Sequence, residues 1–169
     1  MAHLVPPTVT LQASFVEALD EYRRDDAYDV LDPGAARDPA AFARYVEGLR
    51  DAVRPSEEQV MAPVPTTTLW WVDGSTYLGT LTIRHRLGTD FLATYGGHLG
   101  YRVRPAARGQ GHATRMLAAA LPVMASLGID PALVTCDTVN GASRRVIERN
   151  GGRFESALDG KLRFWVDTR

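Results

Sequence analysis

Residues 103 to 114 read Val-Arg-Pro-Ala-Ala-Arg-Gly-Gln-Gly-His-Ala-Thr and have the residue types and spacing of a site that holds anions. The segment leaves a predicted strand, passes through a turn and enters a predicted helix that begins with small residues. Without bulky side chains, successive backbone N–H groups converge, and the start of a helix adds unpaired donors and the positive end of its dipole. The pattern therefore predicts a backbone cradle for a phosphate or pyrophosphate.

Spacing separates three kinds of nucleotide site. A Walker loop requires Gly-x-x-x-x-Gly-Lys-Ser/Thr, and the only lysine of the chain is Lys161. A dinucleotide fingerprint, Gly-x-Gly-x-x-Gly/Ala, requires a small residue where Thr114 stands. The pattern that remains is Arg108-x-x-Gly111-x-Ala113.

This pattern follows a predicted strand that ends in a branched apolar residue, Val103. Together they resemble the acetyl-CoA loop of the GNAT superfamily of acyl-CoA-dependent N-acetyltransferases, which has the signature Arg/Gln-x-x-Gly-x-Gly/Ala after such a strand. The loop alone indicates a site for the acetyl donor, acetyl-CoA. Motifs elsewhere in the chain decide how specific the resemblance is.

A second motif strengthens the resemblance. Residues 136–143, Cys-Asp-Thr-Val-Asn-Gly-Ala-Ser, are similar to the strand and Asn-x-x-Ser/Ala turn of the same superfamily. Residues 149–152, Arg-Asn-Gly-Gly, resemble the glycine-containing end of the short helix that follows. The resemblance covers residues 60 to 169, while the first 60 residues fit in number and type of elements. Uncharacterised bacterial members also carry the run Tyr-Gly-Gly-His-x-Gly-Tyr, which stands here at residues 95 to 101.

The resemblance implies an α/β (α+β) fold with a mixed central sheet in the order β-α-α-β-β-β-α-β-α-β-β. Two strands splay apart, and the pantetheine arm of acetyl-CoA fills the gap and pairs with their free backbone groups. Acetyl-CoA is then the co-substrate, and no metal is implied. The implied cofactor-binding residues are Val103, Arg108, Gly109, Gln110, Gly111, His112, Ala113, Thr114, Asn140 and Ser143.

The implied reaction sets three chemical requirements. An alkylammonium group with a pKa of about 10.4 must lose a proton, directly or through water, before its nitrogen attacks the thioester. The oxyanion of the tetrahedral intermediate needs a hydrogen-bond donor, which a free strand N–H supplies. The leaving thiolate needs a proton or a stabilising hydrogen bond.

The catalytic side chains are harder to assign, because Ile147 stands where the superfamily usually has the tyrosine that acts as general acid. His98 and Tyr101 are the candidates on the predicted strand beside the thioester. The imidazole has a suitable intrinsic pKa, but strict alternation puts His98 on the strand face opposite Tyr101 unless the preceding glycines form a bulge. Both residues also have structural interpretations, a hydrogen-bonded strand histidine and a packed aromatic ring.

Composition agrees with a single acetyltransferase-sized domain spanning residues 1–169. The net charge of −1 and the absence of a basic run argue against nucleic acid as a partner. One cysteine excludes an internal disulfide, and the four histidines have no metal-ligand spacing. With no apolar stretch that spans a bilayer and no leader pattern at Met1, we expect a cytoplasmic protein without a membrane partner.

The N-terminal third of the chain predicts helices. Residues 11–23 have apolar residues at helical spacing, and residues 25–37 contain Asp-Pro-Gly and predict a loop. A second helix begins with Asp38 as its cap and Pro39 in its first turn, and Pro55 forbids its continuation.

The remaining residues alternate between strands and helices. Residues 66–72 and 76–85 predict a hairpin around Asp73-Gly74, and residues 98–103 a third strand. A long helix follows Arg108 and ends at Gly128, with a kink rather than a stop at Pro122. The last elements are a strand at 133–136, a helix at 142–149, and a hairpin of 154–156 with 161–166.

We interpret the chain as an acetyl-CoA-dependent acetyltransferase that acts on a primary amine of a small molecule. A protein lysine or N-terminal acetyltransferase and a non-catalytic acyl-CoA-binding sensor are the alternatives. Aspartates 25, 26, 29 and 32 lie where GNAT enzymes shape the acceptor pocket, and an acidic pocket favours a cationic amine. Trp70 and Trp71 point to opposite strand faces, so one is available for a pocket or for a homodimer contact.

Overall fold

A computed structural model of the chain describes residues 1–25, 31–51, 53–54 and 64–169. Its helices are α1 (Gln12–Arg24), α2 (Pro33–Arg37), α3 (Pro39–Arg50), α4 (His112–Ser126) and α5 (Gly141–Arg149). Its strands are β1 (His3–Val5), β2 (Val53–Arg54), β3 (Val64–Asp73), β4 (Thr76–Arg84), β5 (Leu99–Val103), β6 (Ala132–Asp137), β7 (Arg153–Leu158) and β8 (Lys161–Val166). None of the helices described is long and apolar enough to cross a membrane.

The strands form a mixed sheet in the order β1-β3-β4-β5-β6-β8-β7, and β2 pairs with the first residues of β3. Neighbouring strands are antiparallel except β5 and β6, which run parallel and share only the register pair Leu99 and Val134. The mixed sheet predicted from the resemblance is confirmed, and its weakest junction lies between β5 and β6.

Helix capping explains where the N-terminal helices begin. Asp38 accepts a hydrogen bond from the Ala41 N–H at 2.7 Å, which confirms the predicted start of α3. The prediction of a loop through residue 37 was wrong for α2, because Asp32 caps that helix in the same way and Pro33 occupies its first turn. The predicted stop at Pro55 lies outside the described residues.

The C-terminal elements follow the predictions closely. The hairpin of β3 and β4, the strands β5 and β6, and the hairpin of β7 and β8 all form. Helix α4 continues through Pro122 and ends at Ser126. The prediction that this proline does not end the helix is confirmed. Pro122 and Ala118, the residue four positions earlier, are both exposed, so the Ala118 carbonyl that the proline leaves without an N–H partner is open to solvent.

Two hydrophobic clusters pack on the sheet. One contains Trp70 and side chains of α1, α2 and α3, and the other contains Trp71 and side chains of α4 and α5. Trp70 and Trp71 therefore point to opposite faces as predicted. Both are buried, with 1% and 3% exposed, so neither lines an open pocket or a contact with a second copy.

Candidate active site

The parallel strands β5 and β6 diverge after Leu99, and the divergence leaves backbone groups of β5 available. On the β4 side, the His98 carbonyl accepts the Arg84 N–H, and the Arg104 N–H donates to the Leu78 carbonyl. Ladder bonds of an antiparallel pair recur at every second residue, so the backbone groups of Tyr101 and Val103 face β6. Because β6 pairs with β5 only at Leu99, these groups point into a gap.

A turn and the start of α4 close one end of the gap. Gly109 and Gly111 have φ of 75° and 76°, a left-handed conformation that favours glycine. No side chain caps α4, so the N–H groups of its first turn have no intrahelical acceptor. These donors and the helix dipole provide what an anion needs.

The gap and this turn enclose one cavity of about 650 Å³. Its lining contains every cofactor-binding residue implied by the resemblance except Gln110, whose side-chain amide donates to the Ala106 carbonyl at 3.1 Å. The lining residues are Tyr101, Arg102, Val103, Ala107, Arg108, Gly109, Gly111, His112, Ala113, Thr114, Asn140, Ala142, Ser143, Arg145, Val146 and Arg149.

Arg108 braces the turn rather than extending freely into the cavity. Its Nε donates to the Val103 carbonyl at 3.2 Å, and its Nη1 lies 2.5 Å from Asp25 Oδ2. Asp25, predicted as part of an acidic acceptor loop, thus compensates the charge of Arg108. We call residues 108–114 the anion turn. Asp32 caps α2, and residues 26 and 29 lie outside the described part of the chain.

His112 begins α4 as a neutral ring. Its Nδ1 lies 3.1 Å from the Trp71 Nε1–H, which only donates, so Nδ1 is the acceptor and Nε2 carries the proton. Burial, followed by the nearby Arg115 guanidinium, lowers the pKa of His112. The ring therefore adds no formal charge to the anion turn at neutral pH.

The lining of the cavity also includes a pair of hydroxyl groups. The Tyr101 hydroxyl on β5 lies 2.6 Å from Ser143 Oγ in the first turn of α5. Burial raises the pKa of Tyr101 to about 12, so the phenol keeps its proton at neutral pH. Asn140 caps α5 through a 3.0 Å bond from the Ser143 N–H to its side-chain oxygen, which fixes Ser143 beside the phenol.

Ile147 lies on the same helix but belongs to the core. Its side chain is fully buried, and a Cβ added to Gly152 would stand 2.5 Å from its Cγ2. The position where the superfamily usually has a tyrosine is therefore filled by packing. The cavity receives a phenol from β5 instead.

His98 joins β5 to β6 at the point where the two strands begin to diverge. Its backbone N–H donates to the Leu133 carbonyl at 2.8 Å, and its Nδ1 accepts the Leu133 N–H at 2.9 Å. Burial, with a contribution from Arg84, lowers the pKa of His98. The Nδ1 lone pair is thus engaged, Nε2 holds the proton, and His98 is not among the residues that line the cavity.

The glycines before His98 shape this junction without a bulge. The register of β4 and β5 runs unbroken from Gly79 and Val103 to Ile83 and Leu99, so residues 99–103 contain no bulge that would bring His98 to the face of Tyr101. Gly97 instead has φ of 63°, and a Cβ there would lie 2.7 Å from the Leu133 carbonyl oxygen. The glycine allows β6 to approach closely enough for both hydrogen bonds of His98.

Several lining residues were missed by the sequence interpretation, above all Arg145 and Arg149 of α5. Their spacing of four residues on a predicted helix was the available signal, since such residues share a helix face. Within the described residues, no group of three or more His, Cys, Asp or Glu side chains is arranged to hold a metal ion.

Comparison with known proteins gives a family and a fold. A family model described as an acetyltransferase (GNAT) domain matches residues 18–153. The chain is similar to Mycobacterium smegmatis RimJ in complex with CoA-disulfide, with 18% identity and a TM-score of 0.67, over 98% of this chain and 81% of that one. The similarity to the microcin C7 self-immunity acetyltransferase MccE in complex with acetyl-CoA and AMP has 11% identity and a TM-score of 0.65, over 98% and 92%.

A third solved structure is RimL, a ribosomal L7/L12 alpha-N-protein acetyltransferase in complex with coenzyme A. It shares 15% identity and a TM-score of 0.63 with this chain, over 99% of this chain and 96% of that one. At such identities the similarity establishes a common fold. No curated protein matches the sequence.

Proposed function

We propose, from the premise that this chain belongs to the GNAT acetyltransferase family, that it transfers the acetyl group of acetyl-CoA to a primary amine of a small molecule. The observation that carries the proposal is a cavity whose lining includes both the anion turn and the Tyr101 phenol. These groups suit the pyrophosphate and the thioester of acetyl-CoA.

The cavity suggests how the cofactor is held. The pyrophosphate accepts hydrogen bonds from the first-turn N–H groups of α4, with Gly109 and Gly111 giving it close access to the backbone. The pantetheine amides pair with the free backbone groups of Tyr101 and with the Val103 N–H, since the Val103 carbonyl already accepts from Arg108, and so replace the missing strand partner. The thioester then lies near the Tyr101 hydroxyl.

The reaction needs no covalent intermediate on the protein. The ammonium group gives a proton to water, and the neutral amine nitrogen forms a bond to the thioester carbonyl carbon. A free β5 N–H stabilises the oxyanion, the attacking nitrogen gives a second proton to water, and the intermediate collapses with cleavage of the carbon–sulfur bond. Tyr101 donates its phenolic proton to the thiolate and is reprotonated through Ser143 and solvent.

A direct role for His98 as the base stays a prediction. Its Nδ1 lone pair is engaged by the Leu133 N–H, so proton removal by His98 requires that this bond open first. For that reason our scheme assigns the proton of the amine to water and assigns Tyr101 as the acid.

An N-terminal or lysine protein acetyltransferase is the second candidate. RimL, an alpha-N-protein acetyltransferase, shares the fold along 99% of this chain. The third candidate, a non-catalytic sensor, is motivated by Ile147 at the place of the usual tyrosine. The Tyr101 phenol weakens this argument, because it offers another hydroxyl group beside the cavity.

Release of thiol from acetyl-CoA tests these candidates when three acceptor sets are compared at equal concentration. The sets are small primary amines, peptides with a free N-terminus, and N-terminally blocked peptides with lysine. We expect turnover with small amines. Turnover restricted to peptides would overturn the small-molecule acceptor, and binding of acetyl-CoA without turnover in any set would favour the sensor.

A further inference from the structure

The two faces of the sheet have different roles in the proposed function. The cofactor cavity is lined by residues of β5, the anion turn, α4 and α5, so acetyl-CoA reaches the gap between β5 and β6 from the side of these helices. An acceptor nitrogen that enters beside the bound cofactor comes from the opposite face. We call the part of this opposite face that carries Thr135, Asp137 and Lys161 the acceptor face.

Strand alternation places Asp137 and Lys161 together on the acceptor face. Cys136 of β6 and Leu162 of β8 belong to the hydrophobic cluster under α4 and α5, so the side chains next to them in sequence point the opposite way. Asp137 and Lys161 are partners in the register of β6 and β8, and Lys161 Nζ lies 2.7 Å from Asp137 Oδ1. Lys161 is also the only lysine of the chain.

Two backbone hydrogen bonds tie this ion pair to the wall of the cofactor cavity. The Asn140 N–H donates to the Asp137 carbonyl at 2.9 Å, and the Thr138 N–H donates to the Gly160 carbonyl at 2.8 Å. Asn140 lines the cavity, and Gly160 directly precedes Lys161. The lysine therefore begins one residue from the point where β8 is bonded to the turn that carries Asn140.

The loop before β5 borders the acceptor face. Thr135 Oγ1 donates to the Tyr95 carbonyl at 2.6 Å, and the Tyr95 hydroxyl donates to Asp159 Oδ2 at 2.7 Å. Asp159 lies two residues before Lys161. The loop thus crosses β6 at Thr135 and holds the turn that presents Lys161.

The ion pair leaves the lysine available for reaction. The side chains of Lys161 and Asp137 are 31% and 55% exposed, and ion pairs at such exposure contribute little to stability. The ammonium group also stands on a flexible four-carbon stem. Lys161 can therefore leave Asp137 and turn toward the gap, where the proposed reaction consumes a primary amine.

We propose that Lys161 is a self-acetylation site, an inference that rests on the proposed use of acetyl-CoA. The ammonium group gives a proton to water, and its nitrogen forms a bond to the thioester carbonyl carbon. The nitrogen then gives a second proton to water, the carbon–sulfur bond breaks, and the thiolate takes a proton and leaves as CoA. Acetylation removes the positive charge of Lys161 and its ion pair with Asp137, so the acceptor face becomes more negative.

Incubation of the full chain with acetyl-CoA and no added amine tests this site. Peptide mass spectrometry follows the acetyl group at Lys161 and at the N-terminal amine of Met1, which is the internal control because it is also paired with an aspartate, Asp73, at 2.9 Å. An α-amine has a pKa of about 8 and lysine one of about 10.4, so uncatalysed acetylation favours the N-terminus. We expect Lys161 to react at least about tenfold faster, because the fold holds it beside the thioester.

Three further measurements connect the modification to the cofactor site. Lys161→Arg keeps the positive charge but has no primary amine at this position, so it should lose the thiol release that accompanies acetylation of Lys161. An excess of CoA should suppress acetylation of Lys161 but not of the N-terminus. Tyr101→Phe should slow acetylation of Lys161 by the same factor as turnover of an added small amine, because both reactions use one site.

Acetylation of the N-terminus as fast as that of Lys161, or a Lys161 rate that excess CoA leaves unchanged, would overturn the inference. A rate that rises in proportion to protein concentration would do the same, since the transfer would then occur between copies. Turnover of small amines by a protein whose Lys161 stays unmodified would overturn the inference and leave the proposed function intact. If neither Lys161 nor any added amine is acetylated, the proposed function itself fails.

Discussion

At the residue scale, the proton supply that we propose for the site depends on two hydroxyl groups from different elements. Tyr101 reaches from β5 to Ser143 of α5, and burial keeps the phenol protonated at neutral pH. Because Ile147 fills the core, the general acid that we propose is a phenol from a strand on the other side of the gap. The reaction and the packing of α5 thus use separate residues.

Replacement of Tyr101 by phenylalanine tests the acid. We expect Tyr101→Phe to lower kcat about a hundredfold, the usual contribution of a general acid, with little change in KM for acetyl-CoA. Since the pKa of Tyr101 is about 12 and the phenol is the active form below it, its ionisation should not lower the rate between neutral pH and pH 10. Steady-state kinetics over this pH range measure both effects. Ser143→Ala is the control and should have a smaller effect, because the phenol remains; an unchanged kcat for Tyr101→Phe would exclude Tyr101 as the acid.

A second prediction at this scale concerns His98. The side-chain oxygen of asparagine can take the place of Nδ1 as acceptor for the Leu133 N–H, whereas alanine cannot. We expect His98→Asn to keep the Tm and the KM for acetyl-CoA, and His98→Ala to lower the Tm and raise that KM. Equal losses of kcat in both variants, with loss of the acidic limb of the pH profile, would instead identify His98 as the base.

The pH dependence of stability provides an independent check on His98. Its pKa is lowered in the folded protein, so the neutral ring is favoured by folding. The stabilisation is complete above the pKa of the unfolded state and is lost as the pH falls through the folded value. Urea unfolding between pH 4 and 8 should show this loss in the unmodified protein and a weaker pH dependence in His98→Asn.

At the scale of elements, α1 is fastened to the end of β5 immediately before the anion turn. The buried Arg104 guanidinium donates to both carboxylate oxygens of Glu21, and the second oxygen also accepts the Ala106 N–H at 3.0 Å. Burial opposes ionisation, but these hydrogen bonds and the charge of Arg104 outweigh it, so the pKa of Glu21 is lowered. One carboxylate therefore orients both a helix and the turn that begins the cofactor site.

Removal of this carboxylate tests the link. Glu21→Gln should reduce the free energy of unfolding by about 2 kcal/mol at neutral pH, since it weakens a charge-assisted hydrogen-bond pair that is only partly screened. Because the folded pKa of Glu21 is lowered, its contribution is complete above the unfolded pKa and is lost as the pH falls through the folded value. The difference between the two proteins in urea unfolding should therefore shrink below about pH 4.

Glu17→Gln is the matched control for Glu21→Gln. The Glu17 carboxylate lies 3.7 Å from the same guanidinium, but its side chain is 69% exposed. An exposed ion pair of this kind contributes little, so Glu17→Gln should unfold almost like the unmodified protein. Equal losses in the two variants would contradict the specific role of Glu21.

At the scale of the whole molecule, the central sheet is continuous except at the parallel junction of β5 and β6. His98 closes that junction at one end, and beyond Leu99 the side of β5 that faces β6 has no strand partner in the described residues, while its other side stays paired with β4. A ligand that fills the gap completes the pairing across the sheet. Cofactor binding should therefore stabilise the fold as a unit.

Thermal unfolding with CoA measures this coupling. At a concentration of about one hundred times its Kd, CoA should raise the Tm by about 5 to 10 °C, as expected for a ligand that binds only the folded state of a chain of this size. ATP, which has phosphates but no pantetheine arm, should give a smaller shift at the same concentration. Equal shifts would show that the anion turn alone is responsible and that the strand gap contributes nothing.

The sequence by itself determined the elements and the anion turn, because both depend on neighbouring residues. Capping at Asp38, strand alternation around Trp70 and Trp71, and the left-handed glycines of the turn are local backbone properties. Local signals were ambiguous at α2, because Asp32-Pro33-Gly34 suits both a helix start and a loop.

Only the tertiary structure decided which side chains meet. Tyr101 and Ser143 are separated by 42 residues and His98 and Leu133 by 35, so their contacts depend on how β5, β6 and α5 dock. The same docking buries Ile147 and exposes Arg145 and Arg149 to the cavity. Spacing along the chain fixes which residues share a helix face, but the direction of that face is set by the packing of the whole core.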